Sequence, residues 1–597
     1  MSDTDPTQSN TRALSTIVTV IVLLVVFVGL ALTSMWDKSP TFDESFYVSG
    51  GYGYLRTGDP KMASWYHPVL APVLSGLPLL TLDLEAPSQI MGWNQELFFY
   101  APVFMHYNRT DAQTIIRTSR LGMIPIGVLL GLGVFLWSRR LFGNTGGLLS
   151  LGLFVVAPNI LAHARLSTTD VTLTTAIFWA TFLFHEHLRR PRLLTAFGCG
   201  VLAGAAVLAK VSALLMFPAW TALALIHLLK PDAKSEEQRR SSFRPMAEYG
   251  LLGRIGALAA SVAVMAALAI MVIGAAYRFQ YAHNQASVEE ESPTEVLSDS
   301  ESSDATGEHG LHGWSFRTFE RVRHYLPLPT EYLHSIHVFL DKARYGHPGY
   351  LFGEVGGPWW YYYPVAYLLK TPLGMIILTL LAVVLTPRSA RARWNLELLI
   401  LPVLYMGGCM TSSVNSGYRH VLPMVPFLLV MVGSVATVRI PKVRVLHAVL
   451  ALLVAWTVWS SLMVYPHYLT HFNELAGGPA NGHRFLGDSN YDWGQDIHAL
   501  GQYLKTQGVE EPVNLFLHTM SVDNLGFPAV DGFRRKCPKP GWYALGTTVM
   551  QGIYETGQVK RYSWLLKLKP TTVIGYTIRV YHVSQDDLDS IKEDPGS

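Results

Sequence analysis

Two carboxylates stand side by side just beyond the first long apolar run, Asp43 and Glu44 in "TFDESFYVSGGYGYLRTGD". Single charges recur where other apolar runs begin or end: Arg56 and Asp59 in the same stretch, Arg165 and Asp170 in "HARLSTTDVT", then Lys210, Lys370, and Arg419 with His420. A charge at a membrane helix centre costs about 2.5–3.5 kcal/mol on insertion scales, so such residues usually serve a purpose. A set holding both signs suits transfer of a group from an anionic lipid. Cations stabilise a departing phosphate, and a carboxylate takes the proton of the attacking hydroxyl. If the group is a sugar, a nearby carboxylate also favours the oxocarbenium-like centre. Each residue has a bland reading too: a solvated helix end for Asp43 and Glu44, a helix cap for Asp170, a snorkelling anchor for Arg419.

The chain that must position these groups has 597 residues, half of them apolar and only 15% charged. Soluble domains carry about 25% charged residues, so the deficit favours a membrane protein. Cys199, Cys409 and Cys537 are too few for a disulfide framework, and redox chemistry is not expected. Residues 14–34 are long enough to cross roughly 30 Å of hydrocarbon, and "SMWDKSP" after them lacks a clear small-residue cleavage site. They read as a retained first transmembrane helix rather than a signal peptide. Ten further apolar runs follow, near 118–138, 146–163, 168–186, 193–209, 211–229, 252–276, 361–386, 395–412, 420–438 and 445–465.

The expected fold is therefore an α-helical polytopic membrane protein of about eleven transmembrane helices. With residues 1–13 as a cytoplasmic tail, the cationic clusters Arg139–Arg140, Arg189/Arg190/Arg192, "KPDAKSEEQRRSSFR", "PRSARAR" and "RIPKVR" all fall inside, as the positive-inside rule expects. Residues 35–117, 277–360 and 466–597 then lie outside, and every candidate charge lies near that outer face. Residues 35–117, rich in Pro, Trp and Tyr, read as short interfacial helices. The acidic stretch at about 286–308 reads as a disordered insert. Residues 466–597 read as a small α/β domain: "DIHALGQYLKTQG" is helical, and "VNLFLHT", "GWYALGTT" and "TTVIGYTIRVYHV" are strands. In "DSNYDWGQD" the residues Asp488, Asp492 and Asp496 lack the Gly and terminal Glu of an EF-hand, so a capped helix start is the better reading, with acceptor binding as the alternative.

The order of the motifs resembles the C-type membrane glycosyltransferases of family 39, the protein O-mannosyltransferase-like and aminoarabinose-transferase-like group. The likeness is carried by "FDESFYVSGGYGYLRTGD", "YHPVLAPVLSGLP", "ARLSTTDVTLT", "LPLPTEYLHSI", "YYYPVAYLLKTPLG" and "SGYRHVLPMVPFLL", over nearly the whole membrane region. "NELAGGPANGHRFLGDSNYDWGQDIHALGQYL" looks like the C-terminal extension of many bacterial members. The resemblance implies a polyprenyl-phosphate-linked sugar as donor, a hydroxyl acceptor of open class, and inversion at the anomeric carbon. It implies Asp43 as catalytic base with Glu44 beside it, and Arg419, Lys370 and Arg165 holding the donor phosphate. Asp170, Arg56, His67 and His420 would line the substrate site. The loop "YHPVL" departs from the family's usual His-Pro-Pro, since Val69 follows Pro68. Some relatives hold a metal with a loop carboxylate and histidines. His67, His106, His324 and His420 show no tight ligand spacing here, so metal-independent chemistry is expected, with no cofactor.

These expectations place the chain in a lipid bilayer, the bacterial inner membrane, with its C-terminal domain extracytoplasmic and no nucleic-acid partner. A lipid-linked sugar transporter or flippase is the competing class, disfavoured because no internal repeat is apparent and the charges cluster at one face. A non-catalytic glycolipid-binding protein is the third.

Overall fold

The computed structural model describes residues 6–64, 67–93, 97–229, 250–280, 311–385, 392–438, 443–520, 527–534, 538–554 and 556–592. The acidic insert, Cys537 and all of "KPDAKSEEQRRSSFR" lie outside the described residues. The chain is a multi-pass integral membrane protein. Its first helix, α1 (Pro6–Met35), exposes Leu14, Ile17, Val18 and Ile21 on one side and buries Phe27, Ala31 and Met35 on the other. An exposed face of this composition is made for lipid.

Among the described residues six helices are long and apolar enough to cross a membrane, or seven if the bent pair Tyr362–Lys370 and Leu373–Leu385 forms one span. Eleven were expected, and the difference has physical causes. The helix Thr169–Arg189 covers the run 168–186 but carries Asp170, His185, Glu186, His187 and Arg189, while Leu193–Ala209 has only 17 residues. The runs 118–138 and 146–163 join in one helical stretch, Ile124–Val155, broken at Gly143 with φ +80°. Ser150 Oγ donates to Ser138 Oγ at 2.8 Å across this break. Twelve residues of straight helix would separate them by about 18 Å, so the chain doubles back. Only glycine takes that left-handed turn without cost.

Beyond α1 the chain forms short helices, beginning with α2 (Phe42–Thr57). After the helix Thr330–Tyr345 comes a small antiparallel hairpin, β1 (Gly349–Leu351) with β2 (Glu354–Gly356). Near the C-terminus five strands form a mixed sheet in the order β4-β3-β5-β7-β6. These are β3 (Val513–Phe516), β4 (Ala529–Asp531), β5 (Gly541–Gly546), β6 (Thr572–Ile574) and β7 (Ile578–Val583). Side chains alternate between the sheet's faces. Val513, Leu515, Ala544, Ile578 and Val580 pack with Ile497, Leu500 and Leu504 of the helix Ile497–Thr506, whereas Phe516, Tyr543, Leu545 and Tyr581 pack with Val549, Tyr562 and Leu565 on the far side. "TTVIGYTIRVYHV" is thus two strands joined at Gly575–Tyr576, not one.

The expected boundary at 466 also shifts. Tyr468, Leu469, Phe472, Leu486, Tyr491 and Trp493 are buried in the same core as the membrane helices. Residues 466–496 therefore belong to the helices by packing, and the separate sheet cores begin at Ile497.

Candidate active site

The helix α2 starts at Thr41 and places Asp43 and Glu44 in its first turn, where the unpaired amides and the helix dipole favour carboxylates. Successive helical residues are turned by roughly 100°, so the two carboxylates face different surroundings. Glu44 is fully buried. Its oxygens accept from Arg120 Nε at 2.8 Å, Arg120 Nη2 at 2.6 Å, the amide of Thr41 at 2.9 Å and the amide of Ser167 at 2.8 Å. Arg120 spends its remaining donors on the carbonyls of Lys38 and Ser39, both at 2.7 Å. Glu44 is thus corrected from site residue to structural clamp, since a fourfold-bonded carboxylate with no exposure cannot meet substrate.

Asp43 faces the other way and keeps part of its side chain exposed. It accepts from Arg419 Nη1 at 2.7 Å. The Arg419 guanidinium also lies over the Trp493 indole, 4.3 Å from the ring centre, and its Nε is buried with no partner. Asp170 and Asp488 are close enough to couple to the same cation. Asp170 is buried and accepts from Lys210 Nζ at 3.1 Å and Thr168 Oγ1 at 3.2 Å. Tyr47, one turn after Asp43, feels Asp43, Arg419 and Asp170 together.

Two of the expected histidines join this group. The His67 ring stacks on Tyr47 with centres 6.1 Å apart, and its Nδ1 is buried without a partner. Burial, with Lys210 and Lys342 adding repulsion, holds His67 well below the usual histidine range. His420 shares a hydrogen of Ser416 across 3.0 Å and feels Lys210, Arg419 and Asp170. Among the described residues no cluster of three or more His, Cys, Asp or Glu could hold a metal.

The other expected phosphate ligands lie elsewhere. Lys370 Nζ donates to the carbonyls of Leu469 at 2.9 Å, His471 at 3.2 Å and Asn490 at 2.6 Å. All three of its hydrogens are used, and it pins the segment after residue 465 to the bent helix pair. Arg165 is buried, donates to the Ser34 carbonyl and rests 5.8 Å from the Tyr468 ring centre. Its charged neighbours include Arg120, Asp496, Glu44 and Lys38. Arg56 is exposed in the last turn of α2, about 20 Å along the helix from Asp43.

Sequence reasoning preferred a capped helix start for "DSNYDWGQD" and kept acceptor binding as the alternative, without separating its three aspartates. Their duties differ. Asp496 pairs with Lys38, whose Nζ also lies 2.6 Å from His467 Nδ1, and accepts from Thr577 Oγ1 at 2.8 Å. Asp492 accepts from the Thr548 amide at 3.1 Å and the Gly494 amide at 3.3 Å. Asp488 alone of the three lies beside Arg419 and Asp43. Its place is fixed by short cross-links: Ser489 Oγ donates to the Ser416 carbonyl, and the Tyr418 amide donates to Asn490 Oδ1 at 2.8 Å. Burial, with Asp43 adding repulsion and Arg419 opposing, pushes the Asp488 carboxyl up to about 7, and Tyr554 is hydrogen-bonded to it. Tyr554 in turn stacks on His518, ring centres 4.6 Å apart, and His518 on Phe42 at 4.4 Å.

A helical membrane scaffold with an acid–base cluster at one end defines the class, and the sequence comparison agrees. Residues 115–235 match the family model described as dolichyl-phosphate-mannose-protein mannosyltransferase. The match spans 121 of the 597 residues, within the region whose motifs carry the resemblance. No curated protein sequence matches it. Among solved structures it is similar to ArnT from Cupriavidus metallidurans bound to undecaprenyl phosphate, with 12% identity, 94% of this chain and 97% of that one covered, and a TM-score of 0.44. It is also similar to the archaeal oligosaccharyltransferase AglB from Archaeoglobus fulgidus in complex with an inhibitory peptide and a dolichol-phosphate (12%, 83% and 58%, TM-score 0.42). The S. cerevisiae Pmt1–Pmt2 complex bound to the sugar donor matches over 44% of this chain and 33% of that one, at 15% identity and a TM-score of 0.32.

Proposed function

We propose that this chain is an inverting glycosyltransferase that moves a sugar from a polyprenyl-phosphate donor to a hydroxyl acceptor on the outer face of a bacterial inner membrane. The observation that carries the reading is the Asp43–Arg419 pair at 2.7 Å with Asp170 beside it. It joins, across 376 positions of sequence, the two residues that the chemistry most needs. A donor phosphate competes with Asp43 for the Arg419 guanidinium, a strong oxyanion partner. Once displaced, Asp43 is an unpaired carboxylate next to the reacting centre. The acceptor oxygen then attacks the anomeric carbon, and Asp43 takes the hydroxyl proton. The bond from that carbon to the phosphate oxygen breaks with its electron pair, and polyprenyl phosphate departs against Arg419.

The test uses the full-length protein in lipid nanodiscs with radiolabelled polyprenyl-phosphate sugars and the envelope fraction of cells lacking the protein as acceptor. Label should move to the acceptor, and Asp43→Asn should abolish transfer while donor still binds. Binding of label without transfer in nanodiscs, or uptake of label without transfer by vesicles carrying the wild type, would overturn the enzyme reading in favour of a glycolipid-binding protein or a transporter.

A further inference from the structure

We propose that Asp488 is the acceptor-holding carboxyl of this site, so that the segment 466–496 supplies one half of the active centre and the membrane helices the other. The inference rests on the glycosyltransferase reading and adds to it the residue that receives the acceptor.

Three observations support it. First, Asp488 is 5% exposed and adopts a left-handed backbone, φ +54°. That conformation is unfavourable for a non-glycine residue and persists where the surroundings impose it, often at functional sites. The surroundings are the Ser489–Ser416 and Tyr418–Asn490 cross-links, which tie this turn to the residues just before Arg419. Gly417 makes the approach feasible, because a Cβ there would lie 2.4 Å from Ser489 Oγ. Second, the other two aspartates of the motif are held by Lys38, Thr577 and backbone amides away from Asp43, whereas Asp488, itself bonded to the Ser489 amide, lies at Asp43 and Arg419 with the Tyr554 hydroxyl. Third, charge decides which substrate it serves. Once ionised, a carboxyl beside an arriving phosphate is repulsive, whereas either of its protonation states can hydrogen-bond a hydroxyl. A carboxyl that shares the reaction centre with the base can hold a hydroxyl compound by hydrogen bonds and orient it.

The donor's polyprenyl tail must lie in the bilayer, and Asp488 comes from the segment between the helices and the sheet. The acceptor thus enters from the sheet side, against Asp488 and Tyr554, and presents one hydroxyl to Asp43. The stacked series Phe42–His518–Tyr554 fixes the Tyr554 ring in this wall.

The experiment compares wild type, Asp488→Gly, Asp488→Asn and Tyr554→Phe as full-length chains in nanodiscs at pH 6, with the radiolabelled polyprenyl-phosphate sugars of the previous test and graded amounts of the envelope fraction. Glycine keeps the left-handed turn and removes the carboxyl, while asparagine keeps a hydrogen-bonding group of the same shape. Asp488→Gly should raise the half-saturating acceptor amount at least tenfold with donor Kd within twofold. Asp488→Asn should stay within threefold of wild type in both, and Tyr554→Phe should shift only the acceptor term, by less than Asp488→Gly. If Asp488→Gly leaves acceptor dependence unchanged, or weakens donor binding as much as acceptor use, this inference is wrong while the enzyme reading stands. If the wild type transfers no label at all, the enzyme reading fails first and takes this one with it.

Discussion

A phosphate approaching Arg419 meets a guanidinium already shared among Asp43, Asp170 and Asp488. Arg419→Lys keeps the charge but loses the planar fork and the contact with Trp493, so donor Kd should rise at least tenfold, measured by binding of labelled donor. The pH dependence follows from Asp488. Its folded value is raised from 3.8 to about 7, so its neutral form is the favoured one. It therefore supports the fold fully below its ordinary value, and that support is lost as pH rises through about 7. The groups facing it are Asp43 from α2, Arg419, Lys342, Tyr362 and Tyr554. Ionisation adds an anion beside the phosphate position. Donor binding should weaken between pH 6 and 8, and Asp488→Asn should flatten that profile; a slope retained in the variant would assign the titration to another group.

At the scale of elements, α2 is held by a buried bidentate pair rather than by its composition. Arg120 and Glu44 have no exposure, and removing one partner strands the other charge. Losses of about 3–5 kcal/mol are expected for such a break. Arg120→Ala should lower the unfolding temperature sharply, whereas Asp43→Asn, at a partly exposed position, should leave it nearly unchanged. Comparing the two melting curves separates clamp from base. Asp43 and Glu44 were both legible in the sequence as functional candidates, but adjacency conceals a helical turn of roughly 100°. Nothing in "FDES" says which carboxylate meets Arg120, a residue 76 positions away. Lys370 was misread for a similar reason. Its charge at a helix end was visible, yet the three carbonyls that use it come from residues 469–490.

For the whole molecule, the residues after 465 are no detachable appendage. Their first thirty pack into the helical core and reach back through Lys38–Asp496 and the Phe42 amide, which donates to the Trp493 carbonyl at 3.0 Å. A chain ending at residue 465 should lose donor transfer and accumulate poorly. A chain carrying Gly417→Ala should fold, because the strain falls on Ser489, but transfer more slowly as Asp488 moves from Arg419. Immunoblot of membranes and labelled transfer read both.

The sequence alone determined the helical membrane class and singled out Asp43, Asp170 and Arg419 as candidates, because apolar runs and isolated charges near hydrocarbon are local signals with large energetic weight. It also pointed to β3 and β5 and to the stretch that holds β6 and β7, though not to β4. Which charges share one cavity was decided only in three dimensions. A buried charge is satisfied by whatever donor the fold brings to it, and for Glu44, Lys370 and Asp488 that donor or neighbour lies some 70 to 450 residues away along the chain.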